Sequence, residues 1–204
     1  KAISFWSAVQ DLCNGEDDEA EDELRELYSR VGKWHSLVDL LSKKAKKTES
    51  GSDEERIEWL LEVVSIYKDQ IRSETKVNNT YQAILEINPA HSEAIDSLVQ
   101  QYEAMKRWPD LVRILQTKID HTDNDDDLIQ LHRRVANIMM ERFSNSAEAM
   151  KSYTAILALE PEDGQAIEAL KAIYLTRRDF ESYLLLARRE VALLDEDEDR
   201  AERF

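Results

Sequence analysis

The chain has 204 residues with four glycines, three prolines and one cysteine, and 43 acidic residues against 27 basic ones give it a formal net charge of −16. So few Gly and Pro residues argue against the tight turns of an all-β sandwich or barrel. The charge argues against nucleic acid or an anionic membrane as partner, and a single cysteine excludes an internal disulfide, which makes the cytoplasm the default location.

Apolar residues recur at the three-four spacing of amphipathic helices along the whole chain. Acidic, Ser or Asn clusters mark helix starts, and residues that precede proline mark helix ends. In chain order, helices are predicted at about 1–12, 17–31, 34–47, 54–72, 75–87, 91–105, 109–120, 125–142, 146–158, 163–176 and 179–193, with a further start at 197.

The apolar pattern repeats with a period of 72 residues. Every apolar position that we compared between 57 and 89 is matched, identical or apolar for apolar, between 129 and 161. The same pattern extends backward with an offset of 74, and the turn-like loop 48–52 is the predicted place of the two extra residues. Matched sets are Tyr81 with Tyr153, Pro89 with Pro161, Tyr28 with Tyr102 and Tyr174, and Trp34 with Trp108 and Phe180. Recurrence at a fixed register indicates that these aromatic residues pack between helices.

Two stretches carry the clearest helical-hairpin pattern. In the first it consists of Val63-Val64, Tyr67, Val77, Tyr81, Ile84 and Pro89, and in the second of Val135-Ala136, Met139, Ala149, Tyr153, Ile156 and Pro161. Both stretches resemble tetratricopeptide repeats. The resemblance implies an all-α fold, a right-handed superhelical solenoid of antiparallel helical hairpins, with first helices lining a concave face. The small residues Ala136 and Ala149 stand where two helices would approach closely.

The repeat predicts one domain, because a lone amphipathic hairpin cannot bury both of its apolar faces. The single repeat domain spans 1–204. Its parts are a second helix at 1–12, hairpins at 17–48, 53–89, 90–121, 125–161 and 162–194, and the start of another repeat at 195–204. Both ends therefore resemble interrupted repeats, and we expect the terminal helices to be the least stable part.

No residue pattern indicates a catalytic, metal or cofactor site. The four histidines lack zinc-site spacing, and His132 falls on the apolar face as a core or boundary residue. The acidic run 120–127 superficially suggests a calcium loop, but Leu128 and Arg134 occupy the positions that need Gly and Glu, so a helix start is the better interpretation. Weak binding of a divalent cation stays open. Without a phosphate loop or nucleophile elbow, we predict that the protein is not an enzyme.

Two acidic runs and one basic cluster remain. The runs 16–19 and 195–199 are interpreted as solvated helix starts, with attraction of a basic partner segment as the alternative. The lysines at 43, 44, 46 and 47 suit the end of a helix, where positive charge complements the helix dipole.

First-helix positions turned away from the apolar stripe outline a predicted partner surface. Acidic side chains outnumber basic ones on it, and the residue types change from repeat to repeat. No recurring Lys and Asn set suggests a clamp for a C-terminal carboxylate. The predicted partner-binding residues are Glu58, Lys68, Asp69, Glu93, Asp96, Gln100, Glu103, Arg133, Asn137 and Glu141.

The sequence thus predicts a non-catalytic protein-interaction scaffold that binds a peptide or domain of basic character on an acidic concave face. A basic partner would be steered by the acidic field. Two alternatives stay open: a structural segment that self-assembles through its terminal repeats, and a regulatory repeat region of a larger multidomain protein.

Overall fold

The computed structural model describes residues 1–13, 17–47 and 51–201, with side chains up to residue 192, and all regular structure in these ranges is helical. The all-α helical repeat is therefore confirmed. The elements are α1 Ala2–Leu12, α2 Asp18–Val31, α3 Trp34–Lys46, α4 Asp53–Ile66 with a π-helical turn Tyr67–Ile71, α5 Glu74–Ile87, α6 Ser92–Ala104, α7 Trp108–Asp120, α8 Asp125–Phe143, α9 Ser146–Leu159, α10 Gly164–Arg177 and α11 Phe180–Ala201. The predicted two-residue slip at 48–52 lies mostly outside the described residues.

Side-chain caps explain why the helices start where the sequence predicts. Ser52 begins α4 with a capping box: its hydroxyl accepts from the Glu55 amide at 3.2 Å, and the Glu55 carboxylate accepts from the Ser52 amide at 2.8 Å. Asn124 caps α8 by accepting from the Asp127 amide at 2.9 Å. Each cap satisfies a backbone N–H that has no partner inside the helix.

The backbone repeats with the same period as the sequence. Gly32, Lys106 and Arg178 end first helices in the left-handed conformation, with φ of 74°, 56° and 58°. In each case the next amide donates to the carbonyl of the recurring tyrosine, at 2.8, 2.8 and 2.9 Å from Tyr28, Tyr102 and Tyr174 respectively. These are Schellman-type helix ends, which a left-handed residue makes possible. Arg72 and Ser144 form a second left-handed pair, 72 residues apart.

The chain divides into two compact units, residues 1–101 and 102–204. Within the first unit, α1 packs on α2, α2 on α3, α3 on α4 and α4 on α5. Within the second, α7 packs on α8, α8 on α9, α9 on α10 and α10 on α11. Ala136 and Ala149 are fully buried, as expected where α8 and α9 approach closely. The core cluster of the second unit is built around them.

One helix end differs from the sequence prediction. α11 continues as a single helix from Phe180 to Ala201, whereas the sequence indicated an end near 193 and a new start at 197. No Gly or Pro interrupts residues 180–201, so local sequence allows the helix to propagate past the point where the repeat predicts a break.

One aromatic position also differs. Phe180 is 58% exposed, whereas its counterparts Trp34 and Trp108 are half-buried. The reason is positional, because α11 is the last helix that the structure describes and no described helix follows it. None of the helices in the described ranges is both long enough and apolar enough to span a lipid bilayer.

Candidate interaction surface

The ten predicted partner-binding residues, here called the first-helix surface, lie on α4 with its π-turn, on α6 and on α8. Nine of them are exposed and Arg133 is half-buried. The alternation of buried apolar and exposed polar positions on these helices places them outside the core. Six belong to the first unit, and Glu103, Arg133, Asn137 and Glu141 belong to the second.

In the first unit, a buried tyrosine joins two members of the surface. The side chain of Tyr81 on α5 is fully buried, and its hydroxyl donates to Glu93 Oε1 at 3.1 Å. The same hydroxyl accepts from Lys68 Nζ at 2.8 Å, and that ammonium group lies 5.1 Å from the centre of the tyrosine ring. The core thereby fixes the relative positions of a cation and a carboxylate at the surface.

The other members in this unit are placed by helical spacing. Glu93, Asp96 and Gln100 follow one another at three and four residues, so they share one face of α6. Asp69 accepts a hydrogen bond from the Ser65 hydroxyl at 3.2 Å within its own helix. In the described part of the chain, Glu58 has no hydrogen bond to another surface member, so the structure joins only Lys68 and Glu93 directly.

In the second unit, the matching tyrosine contacts different polar residues. The Tyr153 hydroxyl donates to Asn137 Oδ1 at 3.2 Å. One turn earlier on α8, Arg133 forms an ion pair with Asp163, which is 7% exposed and also caps α10 by accepting from the Ala166 amide at 2.7 Å. The surface therefore keeps its tyrosine support while its chemistry changes from repeat to repeat.

The electrostatics around Tyr153 link three surface members. Burial raises the pKa of the Tyr153 hydroxyl above its ordinary value of 10.0; the positive charge of Arg133 acts against this, and the negative charge of Glu141 adds to it. Tyr153 therefore stays neutral and donates its proton to Asn137 at physiological pH. Glu103 lies apart from this group, in an ion pair of 2.7 Å with Arg134.

Three clefts that the sequence analysis did not anticipate lie between successive second helices. They separate α1 from α3, α3 from α5 and α9 from α11, with volumes of about 560, 730 and 740 Å³. The first and third clefts are equivalent by the repeat, since Leu24 and Tyr28 line one where Leu170 and Tyr174 line the other. Register 39 holds Asp39 in the first cleft and Leu185 in the third, so one is polar and the other apolar.

A buried ion pair was also missed. Lys44 on α3 lies 2.6 Å from Glu21 Oε2 and 3.6 Å from Asp18 Oδ1, and its ammonium group is 5.1 Å from the ring of Trp59. Burial lowers the pKa of Lys44, but the hydrogen bond and charge of Glu21, together with Asp18 and Asp22, outweigh it and leave the pKa raised. The sequence placed this lysine only at a helix end, because pairing across helices depends on tertiary geometry.

The residues weighed as possible metal ligands have structural surroundings. His132 is half-buried, as predicted, and burial lowers its pKa. The acidic run before α8 provides the Asn124 cap, which supports its interpretation as a helix start. Among the described residues, no group of three or more His, Cys, Asp or Glu side chains is arranged to hold a metal ion.

Comparison with known proteins gives similarity at low identity. No family model and no curated protein matches the chain. Among solved structures, a crystal structure of MamA is 13% identical, covering 88% of this chain and 97% of its own, with a TM-score of 0.41. The TPR2AB domain of yeast Sti1 in a pHSP90 complex is 12% identical, covering 98% and 87%, with a TM-score of 0.35. At TM-scores below 0.5, neither likeness carries an argument about what this chain binds.

Proposed function

We propose that this protein is a non-catalytic interaction scaffold that binds a peptide or domain of basic character through the first-helix surface. The observation that carries the proposal is the arrangement of Lys68, Tyr81 and Glu93, in which a fully buried ring holds an exposed carboxylate in a fixed position. A preorganised acceptor loses little side-chain entropy when a cation binds to it.

The charge of the surface favours a basic partner. Six of its ten members are carboxylates, whereas its two cations, Lys68 and Arg133, already contact Tyr81 and Asp163. The chain as a whole carries a net charge of −16, so its long-range field attracts cations as well. A cytoplasmic setting belongs to the same proposal, because the one cysteine leaves the fold without an internal disulfide.

Fluorescence anisotropy with a fluorescein-labelled arginine-rich peptide tests the proposal. We expect saturable binding that weakens as sodium chloride is raised, because salt screens exposed charges over about 10 Å at 0.1 M. Glu93→Gln and Asp96→Asn should each weaken binding several-fold. Glu162→Gln is the matched control, since this exposed carboxylate lies in the connection between α9 and α10.

Two outcomes would reject the proposal. One is equal binding of the arginine-rich peptide and a glutamate-rich peptide of the same length. The other is a Glu162→Gln variant that loses as much affinity as Glu93→Gln, because binding would then reflect net charge without a defined surface.

A further inference from the structure

A stripe of apolar side chains runs along the solvent-facing side of α11. Phe180, Leu184 and Val191 are 58%, 54% and 56% exposed, and Ala187 stands between the last two. Spacings of four, three and four residues place these side chains on one face of the helix. We call Phe180, Leu184, Ala187 and Val191 the α11 stripe.

The repeat shows what normally covers this face. Leu184 and Val191 correspond to Val38 and Ala45 on α3, which are only 4% and 3% exposed. In the first unit, Leu37, Val38 and Leu41 pack in one cluster with Val63 and Ile66 of α4, and Trp59 contacts the same cluster. At this register, then, α3 is covered by an amphipathic helix whose apolar residues are spaced four and three apart.

Charge adds a second feature to the covering helix. α4 begins with Asp53, Glu54 and Glu55, next to the basic last turn of α3. Asp53 and Lys46 line the same cleft. On α11 the corresponding turn carries Arg188 and Arg189, and Arg189 matches Lys43. An incoming helix with an acidic first turn would therefore meet positive charge, as α4 does.

We propose that the α11 stripe is a docking site for an amphipathic helix of a partner protein. That helix has an acidic first turn and apolar residues spaced like Trp59, Val63 and Ile66. A second copy of this chain does not supply it: α4 and α8 are packed inside their own units, and α1, whose Phe5 is 61% exposed, has no acidic residue in its first turn. This site is separate from the first-helix surface and does not depend on the function proposed for that surface.

The test uses the full chain and a fluorescein-labelled synthetic peptide of residues 53–71, acetylated and amidated at its ends. We expect saturable binding to the wild type. Leu184→Asp and Val191→Asp should each weaken it about tenfold or more, because a charge then faces the apolar side of the peptide. Arg188→Glu should weaken it most at low salt.

Leu185→Asp is the matched control. Leu185 is adjacent in sequence and 72% exposed, but it lies off the stripe at the register where α3 already carries Asp39. This variant should bind the peptide like the wild type, and so should Glu93→Gln on the first-helix surface. Circular dichroism of each variant verifies that the helices remain formed.

Absence of saturable binding to the wild type would overturn the proposal. So would equal losses in Leu184→Asp and Leu185→Asp. Sedimentation velocity supplies a third arm: a wild-type dimer that becomes a monomer on Leu184→Asp would show that a second copy covers the stripe, which contradicts the assignment to a partner helix.

Discussion

Tyr81 is the residue on which the first unit's surface geometry depends. Its hydroxyl lies between Lys68 Nζ and Glu93 Oε1, at 2.8 and 3.1 Å. Tyr81→Phe should lower the free energy of unfolding by about 1 kcal/mol, the usual net value of such hydrogen bonds. Urea denaturation measures it. Tyr153→Phe, whose hydroxyl donates only to Asn137, should cost less; a larger loss there would contradict the bridging role of Tyr81.

Lys44 makes stability depend on alkaline pH. Its folded-state pKa is raised above the ordinary 10.5, so the folded chain holds this proton more tightly than the unfolded chain does. The stabilisation is complete below the unfolded pKa and is lost as pH rises through the folded one. Urea denaturation from pH 8 to pH 11 should therefore show a steeper loss in the wild type than in Lys44→Met, about the pKa of a lysine. Parallel curves would refute this.

The sequence reveals residue-scale features that depend on near neighbours. Caps such as Asn124 could be predicted, because donor and acceptor are three residues apart. The Lys44–Glu21 pair could not, since the two residues belong to different helices and meet only after packing. The changed contacts of Tyr153 were hidden for the same reason: its partner Asn137 lies on another helix.

At the scale of elements, the contact between α8 and α9 depends on small residues. Ala136 and Ala149 are fully buried there. Ala149→Leu should destabilise the protein by about 1–3 kcal/mol, because added volume in a packed contact forces side chains out of their preferred rotamers. Ala147→Leu on the exposed side of α9 is the control and should be nearly neutral in thermal denaturation. Equal effects of the two substitutions would refute close packing at Ala149.

Helix ends offer a prediction of the opposite sign. Lys106 adopts φ of 56° at the register where the first repeat has Gly32. Glycine adopts this conformation without the strain caused by a Cβ atom, so Lys106→Gly should raise the free energy of unfolding by about 0.5–1 kcal/mol. Chemical denaturation measures the change. Lys33→Gly, at φ of −83°, should instead destabilise, and stabilisation by both variants would contradict the explanation.

Helix periodicity was sufficient to locate the elements, and the limits of that reasoning lie where repeats diverge. The π-helical turn Tyr67–Ile71 has no counterpart in α8, which is α-helical over the matching residues. Nothing in the structure explains this difference. The clefts were missed because periodicity assigns side chains to a face of one helix, whereas Leu157, Tyr174 and Leu185 meet only across three helices.

At the scale of the whole molecule, composition and repeat lead to separate conclusions. The repeat uses the large apolar residues for contacts between helices, so the surface is left to charged residues, and acids dominate among these. The exposed stripe on α11 is the exception that the repeat itself identifies, because its counterparts on α3 are buried. One surface is therefore expected to attract basic partners and the other an apolar helix.

Carboxylate footprinting by mass spectrometry, with and without the arginine-rich peptide, tests the central claim most directly. Exposed Asp and Glu side chains are labelled, and a bound partner protects those that it covers. The account predicts protection of Glu58, Glu93 and Asp96, with labelling of Glu162 unchanged. Protection confined to Glu162 and other carboxylates away from the first-helix surface, or spread evenly over the chain, would contradict it.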